Sequence, residues 1–152
     1  MGEDRQKKLA VPEEFADRVL VVNRVAKKIK GGDKVGFTAL VAVGNRSGKV
    51  GLGYGKAADL RSAISKATAQ AKRKVFPISL KGSTIPRRVV IRDGAVEILL
   101  MPAPRGTGLI AGGVVRSILE LAGVKDASTK IIGTRNPMIN AQATIRALER
   151  LS

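Results

Sequence analysis

The spacing of apolar residues changes several times along the chain, and each change predicts an element. DRVLVVNRVAKKIK, from Asp17, mixes valines with charged positions and stops at Gly31-Gly32, which reads as a long strand and a turn. Val35, Phe37, Ala39, Val41 and Val43 then alternate with Gly36, Thr38, Leu40, Ala42 and Gly44, the period of a second strand. Asn45-Arg46-Ser47-Gly48 is a turn signal, and Lys49 to Lys56 makes the returning strand of a hairpin. In that strand Val50, Leu52 and Tyr54 alternate with Gly51, Gly53 and Gly55, so one face is bare backbone that a helix can approach closely. The period then lengthens. Leu60, Ala63, Ile64, Ala67, Ala71 and Val75 recur at helical spacing behind Asp59, a residue type suited to an N-cap. Arg61, Lys66, Lys72 and Arg73 fall on the opposite arc, so the helix packs on the sheet and shows a basic stripe outward. This β-β-β-α unit closes near Pro77.

The second half predicts strands around Ile78–Ile85, Arg88–Arg92 and Val96–Met101, punctuated by Gly82, Pro86 and Asp93-Gly94. A glycine-rich run, Pro104 to Gly108, leads into a helix through Leu121 that Gly123 stops. A strand near Thr129–Ile132 and a helix from Asn136-Pro137 to about Leu151 complete an α+β domain. The expected organisation is α+β in two domains: a flexible lead-in over 1–16, a first domain over 17–77 and a second over 78–152.

Charge sharpens the picture. The chain has 28 Lys and Arg against 12 acids, a formal net charge of +16. Such an excess attracts polyanions. It is concentrated: 18–76 holds fourteen basic residues and two acids, while 77–152 holds eleven and five. The charge does not sit on one amphipathic helix, which argues for nucleic acid over a membrane surface. Absences exclude further classes. Without Cys or His there is no thiol nucleophile, disulfide, Cys/His zinc site or imidazole acid–base group. No apolar run approaches the ~20 residues of a membrane span, and the polar, mixed-charge start MGEDRQKKLAVPEE is not a signal or transit sequence. A cytoplasmic protein with no cofactor, no metal and no membrane partner is expected.

Three stretches bear on chemistry. Gly51 to Ala57 has a G-x-G-x-G spacing inside a strand, which is neither a dinucleotide fingerprint nor a P-loop. Arg105-Gly106-Thr107-Gly108 before a helix could hold an anion on backbone amides, and a small-molecule phosphotransferase is the enzymatic alternative. Phosphoryl transfer needs carboxylates for magnesium, however, and Asp93, Glu97, Glu120, Asp126 and Glu149 form no evident cluster. Arg24, Lys27, Lys28, Lys30, Gly31 and Gly32 put cations beside a turn whose glycines permit close approach, suiting phosphate contact. With four aromatics in all, Phe15, Phe37, Tyr54 and Phe76, a base-stacking platform is weakly supported. Folded RNA read through phosphates and 2′-hydroxyls fits better. A general DNA-binding protein remains as a reading from charge alone.

These residues also carry a family resemblance. VNRVAKKIKGG, FTALVAVGNRSGKVGLGYGKA, KATAQAKRK, GSTIP, PAPRGTGLIAGGVVRSILELAGVKDASTKIIGTRNP and ATIRAL follow one another in an order similar to the bacterial-type small-subunit ribosomal protein five family, over about 17–151. The resemblance implies a first domain like double-stranded-RNA-binding modules and a second of the ribosomal-protein-five domain 2-like fold, which small-molecule kinases share without conferring activity. It implies a non-enzymatic constituent of the cytoplasmic small subunit that fixes the head relative to the body and supports translational accuracy. The implied partners are small-subunit rRNA, ribosomal proteins four and eight, a functional link to protein twelve and the region where mRNA enters, with no homo-oligomer. The implied rRNA contacts are Arg24, Lys27, Lys28, Lys30, Gly31, Gly32, Lys56, Arg61, Lys66, Lys72 and Arg73. Lys28, Ile29, Lys30, Gly31 and Gly32 match the loop near the spectinomycin site. Arg105, Gly106, Thr107, Gly108 and Arg116 match the protein interface. Three features depart from the family pattern: Asn45 stands where an acid is usual, Met138-Ile139-Asn140 replaces Ile-Asn, and the sequence ends at Ser152 without a C-terminal tail.

Overall fold

A computed structural model describes residues 14–29, 31–133 and 135–151; most of the lead-in expected over 1–16 therefore lies outside the described residues. The first sheet contains β1 (Ala16–Ile29), β2 (Gly32–Gly44), β3 (Lys49–Ala57) and β4 (Phe76–Pro77), in that order and antiparallel throughout. Helix α1 (Leu60–Arg73) connects β3 to β4. The second sheet has the order β5 (Val89–Asp93), β6 (Val96–Pro102), β8 (Ala127–Ile132), β7 (Leu109–Ile110), with the β7–β8 pair parallel. Helices α2 (Gly113–Ala122) and α3 (Pro137–Glu149) pack on its inner face.

The glycine strand works as the spacing predicts. Gly51, Gly53 and Gly55 face α1, and a Cβ on any of them would collide with the main-chain oxygens of Ala71, Ala67 and Ala63. The helix meets them with its smallest side chains: Ala63, Ala67 and Ala71 are buried, together with Ala39, Val41 and Val43 of β2. Asp59 caps α1 by accepting from Ser62 N at 3.0 Å, and that bond holds its carboxyl below the usual range.

The two expected domains share one core. Leu40, Ala42 and Val50, on the face of the first sheet opposite α1, belong to the same buried cluster as Ile98 and Leu100 of β6, Ile118 and Leu119 of α2 and Leu148 of α3. The layers therefore run α1, first sheet, α2 with α3, second sheet. Arg18 of β1 adds an ion pair across the seam to Glu120 of α2 at 2.9 Å, and Arg116 reaches the same carboxylate at 3.1 Å. Hydrogen bonding first from Arg18 and then from Arg116 lowers the Glu120 pKa.

Four expectations change. The strand predicted over Ile78–Ile85 is an irregular connection, because its backbone bonds go to separate places: Ile78 N to Gly48 O, Ser79 N to Leu151 O, and an isolated bridge between Lys81 and Thr84. The second strand starts at Gly32 instead of Val35, since β1 and β2 stay paired to the tip at Ile29–Gly32. The Pro104–Gly108 run does not open α2 directly. The short strand β7 intervenes, and α2 starts at Gly113. The last helix ends at Glu149, two residues short of the expected Leu151.

The start of α3 agrees with its sequence signal. Asn136 Oδ1 accepts from Met138 N at 3.0 Å and Ile139 N at 3.5 Å, with Pro137 as the first helical residue. Removing an N-cap side chain costs about 1 kcal/mol, so Asn136→Ala is expected to lower the thermal midpoint by about 2–4 °C. Calorimetry checks this, and an unchanged midpoint would show that the cap contributes nothing.

Candidate nucleic-acid interface

Of the predicted RNA-contact residues, four line up along α1. All four are exposed; Arg61, Lys72 and Arg73 lie on the arc that the buried alanines leave outward, while Lys66 lies at the flank of the helix beside the sheet, its Cβ next to Gly55. Lys72 and Arg73 occupy the last turn, where cations also favour the helix dipole. Arg24 joins them from β1. It pairs with Phe37, whose side chain packs on the α1 side of the sheet, so Arg24 shares that side and is exposed. Arg24, Arg61, Lys66, Lys72 and Arg73 make no ion pair among the described residues. The nearby acid, Asp59, is committed to the helix cap. Lys56 is exposed but stands in register with Thr38, so its side chain projects from the other face of the sheet. Its carbonyl accepts from Lys66 Nζ at 3.4 Å, which ties the two ends together.

The remaining predicted cations belong to the tip of the β1–β2 hairpin. Lys27, Lys28 and Ile29 are strand residues, paired with Lys34, Asp33 and Gly32; Lys30 lies outside the described residues. Gly31 and Gly32 take φ of 103° and 144°, a backbone that side chains with a Cβ disfavour. Both are exposed, with nothing within 4 Å of where a Cβ would stand. The tip is thus a narrow two-stranded finger, in line with the long strand and turn that the sequence suggested.

The Arg105–Gly108 loop has a chemistry that the sequence did not reveal. Gly106 N and Gly108 N both donate to Asp126 Oδ1, at 3.1 and 2.8 Å, while Ser83 Oγ donates to Asp126 Oδ2. The amides that an anion would need are therefore occupied by the chain's own buried carboxylate. This corrects the reading of the loop as a phosphate cradle opening a helix. No group of three metal-ligating side chains exists among the described residues. Arg105, Gly106 and Thr107 are exposed and Gly108 is half-buried. Arg116, although ion-paired to Glu120, keeps 59% of its side chain exposed.

The Ser83 hydroxyl, followed by the Gly108 and Gly106 amides, lowers the Asp126 pKa. A carboxyl depressed in the folded state contributes stability above its ordinary unfolded value, and that contribution is lost as pH falls through the folded value. Asp126→Asn keeps an acceptor for the amides but removes this titration. The variant should show a weaker loss of stability in acid, read from thermal midpoints between pH 7 and pH 3; parallel curves for both proteins would refute the linkage. Neither Asp126 nor Ser83 carried a sequence signal, because they lie 43 residues apart and only the fold brings them together.

The chain was compared with known proteins. The family model described as "Ribosomal protein S5, N-terminal domain" matches residues 15–79, and that described as "Ribosomal protein S5, C-terminal domain" matches 91–152. The chain is 45% identical over 150 residues to the small ribosomal subunit protein uS5 of Ruegeria pomeroyi, covering 98% of this chain and 78% of that one. The uS5 protein of Dehalococcoides mccartyi is 48% identical over 135 residues, covering 89% and 78%. That of Thermosipho africanus is 43% identical over 151 residues, covering 99% and 86%. Among the described residues no helix is long and apolar enough to cross a membrane.

Proposed function

This chain belongs to the ribosomal protein S5 family, whose function is structural and ribosomal, and from that premise we propose that it binds small-subunit rRNA through the α1 side of its first sheet. The observation that carries this reading is the group of five exposed cations, Arg24, Arg61, Lys66, Lys72 and Arg73, with no ion-pair partner among the described residues. Cations left unpaired on a rigid surface are suited to neutralising phosphates, and phosphate contacts position a protein on RNA. In this reading residues 17–77 are the RNA-facing domain. The hairpin finger around Lys28–Gly32 reaches beyond it, near the spectinomycin site and the region where mRNA enters.

The domain over 78–152 docks protein neighbours, with Arg105, Gly106, Thr107, Gly108 and Arg116 facing ribosomal protein four and the domain also meeting protein eight. The shared core supports a mechanical role. Two surfaces joined by one buried cluster move as a unit, so RNA held by one half is kept in fixed relation to protein held by the other. Stabilising the head relative to the body, and supporting accuracy together with protein twelve, follow from that coupling. Gradient sedimentation of a lysate tests the reading. The protein should migrate with small subunits, and a wholly free pool would overturn it.

A further inference from the structure

The Arg105–Gly108 loop has no regular structure of its own, and other parts of the chain set its shape. Gly106 and Gly108 take φ of 95° and 80°, in the left-handed region. No atom lies within 4 Å of where a Cβ would stand on either, so crowding does not impose that backbone. Hydrogen bonds do. Both amides turn to Asp126 Oδ1, at 3.1 and 2.8 Å, and Thr107 N between them donates to Pro104 O at 3.1 Å. Backbone amides aimed at one point form a concave anion site. Here the anion is the chain's own Asp126, a residue only 4% exposed.

Asp126 is itself held. Ser83 Oγ donates to its Oδ2, and Ser83 O accepts from Lys125 N at 2.8 Å and Asp126 N at 2.9 Å. The next residue, Thr84, takes the other end of the loop: its Oγ1 accepts from Ala103 N at 3.1 Å. The irregular connection over 78–85 therefore grips the stretch 103–108 at both ends, directly through Thr84 and by way of Asp126 through Ser83. Ala127 N completes the frame by donating to Gly108 O at 3.2 Å. Asp126 is buried and Ser83 and Thr84 are half-buried, whereas Arg105, Gly106 and Thr107 are exposed. The groups that shape the loop thus lie behind it, and the surface it offers is free to meet a neighbour.

We propose that Asp126 is a positioning residue for protein recognition: held by Ser83, it takes the Gly106 and Gly108 amides and so sets the backbone in which the loop meets ribosomal protein four. The proposal rests on the reading above that this loop faces protein four, and it adds a residue that acts on that contact without touching the neighbour. Hydrogen bonds to a carboxylate are stronger than those between neutral groups, so three on one buried side chain restrain the loop firmly. Without the acceptor, two glycine amides lose their partner and the most permissive residues of the loop regain their conformational freedom. A loop that must be ordered during docking binds more weakly than one already in shape.

The test uses the full chain and small-subunit particles that lack it, prepared with and without protein four. Binding is read from competition with the parent chain for a limited number of particles. Asp126→Ala removes the acceptor, whereas Asp126→Asn keeps an oxygen for the two amides and loses only the charge. Ser83→Ala leaves the carboxylate in place but loosens it, and Arg116→Ala is the control for the docking face. On particles with protein four, Asp126→Ala should bind several-fold more weakly, Ser83→Ala less so, and Asp126→Asn close to the parent. On particles without protein four, all three should match the parent. Parent-like binding by Asp126→Ala and Ser83→Ala, with Arg116→Ala weakened, overturns the positioning role and leaves the docking reading standing. If Arg116→Ala is parent-like too, the docking reading fails and the proposal with it. Asp126→Asn binding as weakly as Asp126→Ala also overturns the proposal, since charge and not loop shape would then govern docking. An equal loss on particles without protein four would assign Asp126 to folding alone. Should Asp126→Ala not fold, Ser83→Ala decides, and parent-like binding by it overturns the proposal.

Discussion

Gly53→Val should leave the N-terminal half unable to fold. A Cβ at Gly53 would overlap the main-chain oxygen of Ala67 and crowd the nitrogen and Cβ of Ala71. Because the principal clash is with backbone, trimming a helix side chain cannot relieve it; α1 must move off the sheet. That movement opens the small cluster of Ala39, Val41, Val43, Ala63, Ala67 and Ala71, whose buried members are none of them larger than valine. Overpacking typically costs about 1–3 kcal/mol and occasionally more, and a clash with backbone belongs at the upper end, a large part of the ~5–15 kcal/mol that holds a typical domain together. Circular dichroism and calorimetry should show loss of the cooperative transition, or a midpoint lowered by more than 10 °C. A midpoint within 2 °C of the parent would refute the close-packing account.

Reversing charge on α1 should have the largest effect on function. Arg61→Glu with Arg73→Glu replaces two exposed cations near opposite ends of the helix. Neither makes an ion pair among the described residues, so the fold should tolerate the change with little loss of stability. The cost falls on RNA. Affinity for small-subunit rRNA at about 0.15 M salt should drop on the order of 100-fold, and the salt slope by roughly 1.4–1.8 for two lost phosphate contacts. Filter binding at four or five salt concentrations measures both. A drop that is the same at every salt concentration would point to misfolding, and no drop would remove α1 from the interface. Matched duplex DNA in the same assay separates folded-RNA recognition from general attraction to polyanions; equal affinities for both would favour the latter.

Much of the fold was legible along the chain because its signals are local. The alternation through Val35–Val43, the Gly51, Gly53, Gly55 series and the alanine spacing of α1 each report a period that only one element type satisfies. The Asp59 and Asn136 caps and the Gly123 stop are similarly local, since each bonds to backbone within a few residues. The outward positions of Arg61, Lys72 and Arg73 followed from helix geometry, whereas Lys66 of the same expected stripe lies beside the sheet, reaching the Lys56 carbonyl. Residues 78–85 misled for the opposite reason. Ile78 and Ile85 are apolar and buried, as in a strand, yet their segment bonds to Gly48, Leu151 and itself, partners that no local pattern names. The two-residue strand β7 is too short to carry a period, and it forms because β8 offers it a parallel edge.

From sequence alone came the two-part α+β plan, the concentration of charge in the first half, the helix that displays it and the family resemblance. Each depends on residue type and spacing over a few turns, and such information survives in one dimension. The tertiary structure decided how the halves relate. It joined both in one core, sent Asp126 to bind the Gly106 and Gly108 amides, and forced Arg46 into a left-handed turn against Leu121 and Ala122. These contacts link residues far apart in the chain, with spacings set by how the layers pack. The outward cations of α1 were therefore readable in advance, while the hold of Asp126 on the docking loop exists only once the second half has folded.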